Sequence, residues 1–270
     1  MVKTGQRRLP LMRFAESRAL GLEVMPVTRL ANRPETRRPH RTDFHHLLLV
    51  THGRGTHVLD FHRWRLEPGM AVWVAPGQVH RFGHEPGLEA TMVVFRAEAL
   101  REPVTLEPCT RLPPDRLRLA TALLDGLATE CAVSDRSLRS RTFLATLLQA
   151  LVRTVDAGAE RPGRTDLSAR FAAALEREIR RTREVSAYAA ILRCSTRTLT
   201  RHCLDADGKS AKRVIEERLL LEARRSLAHD GISVAALSTQ LGFAEPTQFV
   251  KFFRRVSGET PGRFRARMAK

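Results

Sequence analysis

Two stretches of the sequence place arginine, threonine, glutamine and lysine side chains where they would share one exposed face of a helix. In the first stretch, Leu199 and Cys203 are apolar and four positions apart, which is the spacing of a buried helical stripe. The residues that point away from this stripe are Arg197, Thr198, Thr200 and Arg201. An arginine side chain can donate two hydrogen bonds to O6 and N7 of guanine, so this face has the chemistry to read base pairs in a groove.

The second stretch repeats the arrangement with Phe249 and Phe253 as the apolar residues. Its outward positions are Thr247, Gln248, Val250 and Lys251, with Arg254 and Arg255 a turn later. Glutamine can pair with adenine, and a valine or threonine methyl group can contact the thymine methyl group. We expect Lys251, Arg254 and Arg255 to neutralise phosphates. For any one of these side chains, an ordinary solvated helix face is the alternative.

Each stretch is predicted to be the second helix of a pair joined by a tight turn. The predicted pairs are Val185–Leu192 with Thr196–Leu204, and Val234–Leu241 with Pro246–Val256. Ser195 and Ser233 are placed to cap helices by accepting hydrogen bonds from free N–H groups, and Pro246 suits a first helical turn.

The turns of the two pairs differ at one position. Gly242 stands where the backbone must become left-handed, a conformation that only glycine adopts without strain. Arg193 holds that position in the first pair, so strain or a looser turn is expected there. A predicted helix over 211–228 would join the two pairs rigidly. If it separates them by about 34 Å, both outer helices can enter successive major grooves of one DNA face.

Composition and charge favour a polyanionic partner. The 270 residues are 43% hydrophobic and 28% charged, with a formal net charge of +17 and a sequence pI of about 11.3. Residues 161–270 contain 23 Lys/Arg and 12 Asp/Glu, a net charge of +11. No secretory signal or membrane span is predicted, and the four cysteines have no zinc-like spacing, so we expect free thiols in a cytoplasmic protein.

The N-terminal half has a different pattern. Short apolar or alternating runs at Leu47–Thr51, Thr56–Phe61, Met70–Ala75 and Thr91–Phe95 are separated by Gly and Pro turns, which predicts an antiparallel barrel or sandwich. Between Pro114 and Asp156, leucines recur at helical spacing and predict two amphipathic helices. The segment Ala157–Thr165 lacks any periodicity and is the best candidate for a linker.

The C-terminal residues 167–267 resemble the AraC/XylS family of bacterial regulators. The segments that carry the resemblance are Glu217–Ala223, Ser233–Phe243, Glu245–Phe253 and Gly258–Arg265. The resemblance implies two helix-turn-helix subdomains joined by a linker helix. The sequence departs from the family pattern at Arg193, Cys203, Ala211 and Ser226, where Gly, Phe, Pro and Leu are usual.

The segment Pro76–His80 resembles the second motif of cupin barrels and of AraC-type sensor domains. In metal-binding cupins that resemblance would make His80 a ligand beside a His-x-His pair, which is absent here. No metal or other cofactor is therefore predicted. Barrel mouths often hold small molecules. The candidate ligand-binding residues are Phe61, Trp73, His80 and Phe95, with Trp64 and Phe82 as further aromatic candidates, and plain core packing is the alternative for each.

These observations predict an α+β multidomain protein. Its parts are a cupin-like ligand-sensing β-barrel (1–112), a helical dimerisation or packing segment (113–156), a linker (157–166) and an all-α DNA-binding domain with two helix-turn-helix motifs (167–270). The predicted function is sequence-specific transcription regulation in response to a small-molecule effector. Expected partners are double-stranded DNA, the effector, a second copy through 113–156 and RNA polymerase, with no membrane.

Two other functions remain open from the sequence. A metal-dependent cupin enzyme that carries a DNA-binding tail would explain the clustered histidines, of which eight of ten lie between His40 and His84. An architectural DNA binder that responds to no ligand would explain the charge. Because no constellation of an acid or base with a partner is visible, we favour a protein that is not an enzyme.

Overall fold

The computed structural model describes residues 11–14, 21–31, 36, 38–83, 85–102, 104, 106–133, 138–158 and 166–268. The chain divides into two compact units, one over Pro10–Glu160 and one over Arg161–Lys270. Most of the linker predicted at 157–166 lies outside the described residues. Among the described helices, none combines the length and the apolar character that a membrane crossing requires.

The N-terminal unit consists of strands followed by two helices, as the change of period predicts. Its elements in chain order are β1 (Leu11–Met12), β2 (Leu22–Pro26), α1 (Thr28–Ala31), β3 (Arg41–Thr42), β4 (His45–His52), β5 (Gly55–Leu59), β6 (His62–Leu66), β7 (Met70–Val74), β8 (His80–Phe82), β9 (Glu89–Phe95), β10 (Cys109–Arg111), α2 (Pro114–Val133) and α3 (Leu138–Gly158).

Two antiparallel sheets form the predicted cupin-like barrel. The larger sheet has the strand order β10-β7-β4-β9-β2, and the smaller has β6-β5-β8. A short parallel pair, β1 with β3, lies beside them. Six of these strands were not predicted, because they are short or rich in polar residues. In β6, for example, the alternation is hidden by His62, Arg63 and Arg65.

The larger sheet is covered on both faces. On β4, Leu48 and Val50 share an interior core with Leu59 and Phe82 of the smaller sheet. The alternate β4 residues, such as Leu47, point to the opposite face. Because neighbouring residues of a strand point to opposite faces, a strand that is buried on both sides appears in the sequence as a continuous apolar run.

Helices α2 and α3 cover the outer face of the larger sheet. Many of the leucines that recur at helical spacing pack against this sheet. Leu124, Leu127, Leu148 and Leu151 are buried in one cluster with strand residues such as Leu47. This packing answers one alternative left open by the sequence: these leucines pack on their own barrel. Three large apolar side chains among the described residues of these helices remain on the surface, Leu119 (45% exposed), Val133 (71% exposed) and Phe143 (50% exposed).

The C-terminal unit is entirely helical in its described residues. Its elements are α4 (Asp166–Glu178), α5 (Val185–Ile191), α6 (Thr196–Asp207), α7 (Ala211–His229), α8 (Val234–Gln240), α9 (Pro246–Ser257) and α10 (Pro261–Met268). Each predicted helix is present, with ends that differ by at most three residues. The helix α10 was not predicted, because Phe264 is its one large buried side chain among several arginines.

The long helix α7 holds this unit together through a buried carboxylate. Glu222 lies within ion-pair distance of Arg180, Arg218 (3.3 Å) and Arg225 (3.4 Å). Although burial alone would raise the pKa of Glu222, these guanidinium groups lower it to about 2, so the carboxylate is charged. Arg218 also forms an ion pair with Glu176 at 2.6 Å, which fastens α4 to α7.

Candidate DNA interface and barrel interior

The two predicted helix-turn-helix units have the same turn geometry. In the first, the N–H of Arg193 donates to the carbonyl of Ala190, and that of Cys194 donates to the carbonyl of Ala189. In the second, Gly242 and Phe243 donate in the same pattern to Thr239 and Ser238. This pair of bonds ends a helix with a left-handed residue. The repeat inferred from the sequence is therefore present in the backbone.

Three helices of the two units begin as the sequence predicts. The hydroxyl oxygen of Ser195 accepts a hydrogen bond from the N–H of Thr198 at 3.0 Å, which caps α6. Ser233 caps α8 in the same way, accepting from Ala236 at 3.1 Å. Pro246 occupies the first turn of α9. Both predicted serine caps are confirmed.

The apolar stripe residues of α6 and α9 are buried and anchor the two helices, and most of the predicted contact residues are exposed. Leu199, Phe249 and Phe253 have no exposed surface, and Cys203 is 2% exposed. The outward residues on the surface are Arg197, Thr198, Arg201, Thr247, Gln248, Lys251, Arg254 and Arg255, whereas Thr200 and Val250 are half-buried. Each second helix therefore presents the face that the spacing predicts.

Two of the candidate contact residues are already engaged within the protein. The hydroxyl groups of Thr198 and Ser195 lie 2.8 Å apart in the cap of α6. Arg255 donates two hydrogen bonds, of 3.0 and 2.9 Å, to Glu216 on α7. Arg255 thus connects α9 to the linker helix α7, a contact that the sequence did not reveal.

Four histidines meet in the interior of the N-terminal barrel. His46 on β4, His57 on β5 and His80 on β8 are buried, and His40 pairs with His80 through two backbone hydrogen bonds of 3.0 Å. The ring centroid of His80 lies 4.2 Å from that of His40, 4.8 Å from that of His46 and 5.8 Å from that of His57. The sequence places His80 among the candidates but does not indicate this cluster.

The imidazoles of His46, His57 and His80 are neutral at neutral pH. Burial, followed by the neighbouring His40, lowers the pKa of His57 to about 3, and burial also lowers the pKa values of His46 and His80. Both ring nitrogens of His46 and His57 and the Nε2 atom of His80 are buried without a hydrogen-bond partner among the described residues. Within the residues that the structure describes, no three His, Cys, Asp or Glu side chains are arranged to hold a metal ion.

Of the other candidates, Phe82 lies beside His80, with ring centroids 5.6 Å apart, whereas Phe61, Trp73 and Phe95 do not join the cluster. Trp73 and Phe95 belong to the helix-covered face of the larger sheet, where His45 stacks against them at 4.8 and 5.3 Å. Phe61 lies in the turn between β5 and β6. Phe61, Trp73, His80 and Phe95 therefore do not line one pocket. Successive side chains of a strand point to opposite faces of the sheet, and those of Trp73 and Phe95 point away from the barrel interior.

A surface cavity of about 290 Å³ opens elsewhere in the N-terminal unit. It is lined by Gly21, Leu22, Arg96, Glu98, Ala99, Arg141 and Ala145. The lining combines two arginines with one glutamate at the end of β9 and the start of α3. No sequence pattern indicates this cavity.

Comparison with known proteins relates both units to one family. Residues 26–175, more than half of the chain, match the family described as the AraC-like ligand binding domain. Residues 188–267 match the family described as a helix-turn-helix domain. The chain belongs to the AraC family. The family resemblance inferred from the sequence is confirmed, and this AraC-family chain is a DNA-binding transcription regulator.

Curated relatives of this AraC-family chain include transcriptional activators. It is 26% identical over 243 residues to the HTH-type transcriptional activator RhaS of Escherichia fergusonii, covering 84% of this chain and 86% of that protein. It is 24% identical over 235 residues to RhaS of Klebsiella pneumoniae, covering 80% and 83%. The crystal structure of ToxT from Vibrio cholerae O395 is similar at a TM-score of 0.39 with 11% identity, covering 83% of this chain and 89% of that one.

Proposed function

We propose that α6 and α9 of this AraC-family regulator read a DNA operator, with α6 providing most of the base recognition. The observation that carries the proposal is the exposure of Arg197 and Arg201 one turn apart on α6, opposite the buried Leu199. Guanidinium groups so placed can donate paired hydrogen bonds to guanine. The α9 face supplies Thr247, Gln248, Val250 and Lys251 to the same DNA, and Arg254 and Arg255 lie near the phosphates.

Selection of DNA by the full-length chain tests this proposal. The chain is incubated with a random 40-base-pair pool, and the bound duplexes are amplified and sequenced. We expect a motif with two conserved blocks about one helical turn apart. The same selection with Arg197→Ala/Arg201→Ala is expected to lose guanine preference in one block. Enrichment of no motif by the unsubstituted chain would overturn the proposal.

We further propose that a small polar effector contacts His80 in the barrel interior. A buried polar atom without a partner costs free energy, so a guest that hydrogen bonds to His80, His46 and His57 would stabilise the unit. Such a ligand raises thermal stability by mass action. Both tryptophans, Trp64 and Trp73, are in this unit, so their fluorescence reports its unfolding.

A thermal-shift screen of metabolites with Trp fluorescence tests the effector. We expect at least one compound to raise the midpoint for the unsubstituted chain and not for His80→Ala. A shift that is abolished by Arg141→Ala and retained by His80→Ala would instead place the effector in the surface cavity. A screen in which no compound acts would favour the architectural DNA binder.

A homodimer through residues 113–156 is our proposal for the assembly. The exposed Leu119 and Phe143 support it, because large apolar side chains on neighbouring helices favour a protein contact. Light scattering after size exclusion is expected to give a dimer mass that falls to the monomer mass in Phe143→Glu. A monomer mass for the unsubstituted chain would exclude this interface.

The remaining proposals concern partners, domains and chemistry. We propose RNA polymerase as a further partner at the promoter, a cytoplasmic location, and domain limits at 1–112, 113–156, 157–166 and 167–270. We also propose that the chain is not an enzyme. Metal analysis of the purified chain tests the competing cupin enzyme, for which stoichiometric metal and metal-dependent turnover are expected. Co-purification tests the polymerase contact, and limited proteolysis tests the domain limits.

A further inference from the structure

One arginine of the first helix-turn-helix unit reaches the turn of the second. Arg183 lies in the segment between α4 and α5, and its Nη2 atom donates a hydrogen bond to the carbonyl of Gly242 at 3.0 Å. The same guanidinium group lies over the ring of Phe243, 4.0 Å from its centroid. The hydrogen bond joins residues that are 59 positions apart in the sequence.

The segment that carries Arg183 is held firmly by the first unit. The hydroxyl group of Tyr188 on α5 donates to the carbonyl of Thr182 at 3.1 Å. Tyr188 has no exposed surface, and its ring packs edge-on against Phe171 of α4 at 5.7 Å. Arg183 therefore extends from a fixed point rather than from a loose loop.

The residues that Arg183 contacts lead directly to the second recognition helix. Phe243 is 7% exposed, and its ring centroid lies 5.3 Å from those of both Phe249 and Phe252 on α9. Gly242 has a φ of 73°, which turns its carbonyl group toward the first unit. A displacement of this turn would consequently displace α9.

The link between α7 and α8 contains a glycine, and the Arg183 contact adds to those, such as Arg255 with Glu216, that already hold the second unit on α7. Helix α7 ends at His229, and α8 begins at Val234 after a short link that contains Gly231 with a φ of 64°. A glycine in such a link permits rotation about the backbone. The Arg183 contact, made from outside α7, further restricts that rotation.

We propose that Arg183 is a positioning residue that sets the register between the two recognition helices, and thereby the operator spacing that the regulator accepts. The proposal rests on the proposed reading of DNA by α6 and α9. When two linked sites bind together, the second binds at an effective concentration set by the rigidity and length of the connection. The loss of Arg183 lowers that concentration and leaves each site intact.

The test uses duplexes derived from the DNA selected by the unsubstituted chain. One duplex has both conserved blocks, two have one block scrambled, and two have one base pair inserted or removed between the blocks. Each such change moves the second block by about 3.4 Å and rotates it by about 35°. The full-length variants are Arg183→Ala, Arg183→Lys and, as the matched control, Arg181→Ala. Arg181 is a neighbouring arginine with an 80% exposed side chain that pairs with Glu178.

We expect Arg183→Ala to bind the duplex with both blocks about tenfold more weakly, which is part of the roughly 100- to 10,000-fold by which linkage can strengthen binding. Its affinity for the single-block duplexes should stay within about twofold, and its penalty for changed spacing should be smaller than that of the unsubstituted chain. Arg183→Lys should behave like Arg183→Ala, since an ammonium group cannot stack as a planar guanidinium does. Arg181→Ala should retain the full spacing penalty.

Two results would overturn the proposal. Equal weakening on the duplex with both blocks and on the single-block duplexes, with rescue by Arg183→Lys, would make Arg183 a phosphate contact. An unchanged spacing penalty in both Arg183 variants would show that the contact does not set the register. In either case the unsubstituted chain still binds its selected motif, so the failure is distinct from a failure of the proposed function. Helical circular dichroism verifies that each variant is folded.

Discussion

Arg193 and Gly242 occupy the same place in two successive turns, and both have left-handed backbones, with φ values of 54° and 73°. Gly242 adopts this conformation without strain, whereas the Cβ atom of Arg193 is crowded by the backbone. The looser turn that the sequence allowed as an alternative did not form, since the hydrogen bonds of the two turns match. The first unit therefore retains the geometry at a cost in stability.

Replacing Arg193 with glycine is expected to stabilise the first unit by about 1 kcal/mol, the order of the left-handed penalty less the added entropy of an unfolded glycine. Hydrogen exchange of α5 and α6, followed by mass spectrometry, measures the change locally. Arg193→Ala is the matched control, because alanine also carries a Cβ atom. Equal protection in the two variants would mean that the turn is not strained.

Replacing Arg201 with alanine is expected to weaken specific binding by about 1–3 kcal/mol, the range for a good base contact. Arg201 is exposed on α6 and lies one turn from Arg197. A gel-shift titration against the selected duplex and a scrambled duplex measures the loss of specificity. Arg63→Ala removes the same charge from an exposed position of the barrel and should leave the specificity ratio unchanged. Unchanged affinity and preference in Arg201→Ala would remove Arg201 from the interface.

The helical half of the molecule could be predicted from sequence because its signals are local. The anchors Leu199, Phe249 and Phe253 recur at helical spacing, and the serine caps stand directly beside their helices. The contact of Arg183 could not be predicted, because its partner, Gly242, is distant in the sequence and accepts the hydrogen bond through its backbone carbonyl group. No residue type marks such an acceptor.

The barrel interior could not be predicted in the same way. In β4 the residues from His46 to Val50 are all buried, so the alternation that separates an interior face from an outer one is missing. Residue type is therefore the only local signal at Trp73 and Phe95, and both residues face the helices. The histidine cluster arises from strand pairing, such as the register of Leu59 with His80, which no local pattern contains.

The stability of the N-terminal unit is expected to fall as the pH drops below 6.5. The pKa of His57 is about 3 in the folded state, so the unfolded chain, with an ordinary value near 6.5, takes up a proton first. The free energy of unfolding falls by about 1.4 kcal/mol per pH unit, so His57 alone lowers it by about 2 kcal/mol at pH 5. Urea unfolding followed by Trp fluorescence at pH 7 and pH 5 measures it.

His57→Leu should reduce this pH dependence by about the same 2 kcal/mol, because leucine takes up no proton in either state. The neighbouring His46 and His80, whose pKa values are also lowered by burial, keep the remainder. His62→Leu is the matched control, since it is the same substitution on the exposed surface of β6. An identical slope in His57→Leu and in the unsubstituted chain would mean that His57 has an ordinary pKa when folded.

Replacing Glu222 with glutamine is expected to destabilise the C-terminal unit by about 3–5 kcal/mol, the usual effect of removing one partner of a buried ion pair. The substitution takes away the carboxylate charge 3.4 Å from Arg225, whose side chain is 4% exposed. Urea unfolding followed by circular dichroism at 222 nm measures the loss.

Glu217→Gln is the matched control on the same helix. Glu217 is 34% exposed and pairs with Lys209 at 2.8 Å and Arg213 at 2.9 Å, so its replacement should cost about 0–1 kcal/mol. The stabilising contribution of Glu222 is also expected to depend on pH. Because the folded pKa of Glu222 is about 2, its contribution is complete above pH 4.5 and is lost as the pH falls toward 2. If the two variants lost equal stability, the attachment of α4 to α7 would have to reside in apolar packing and not in the Glu222 cluster.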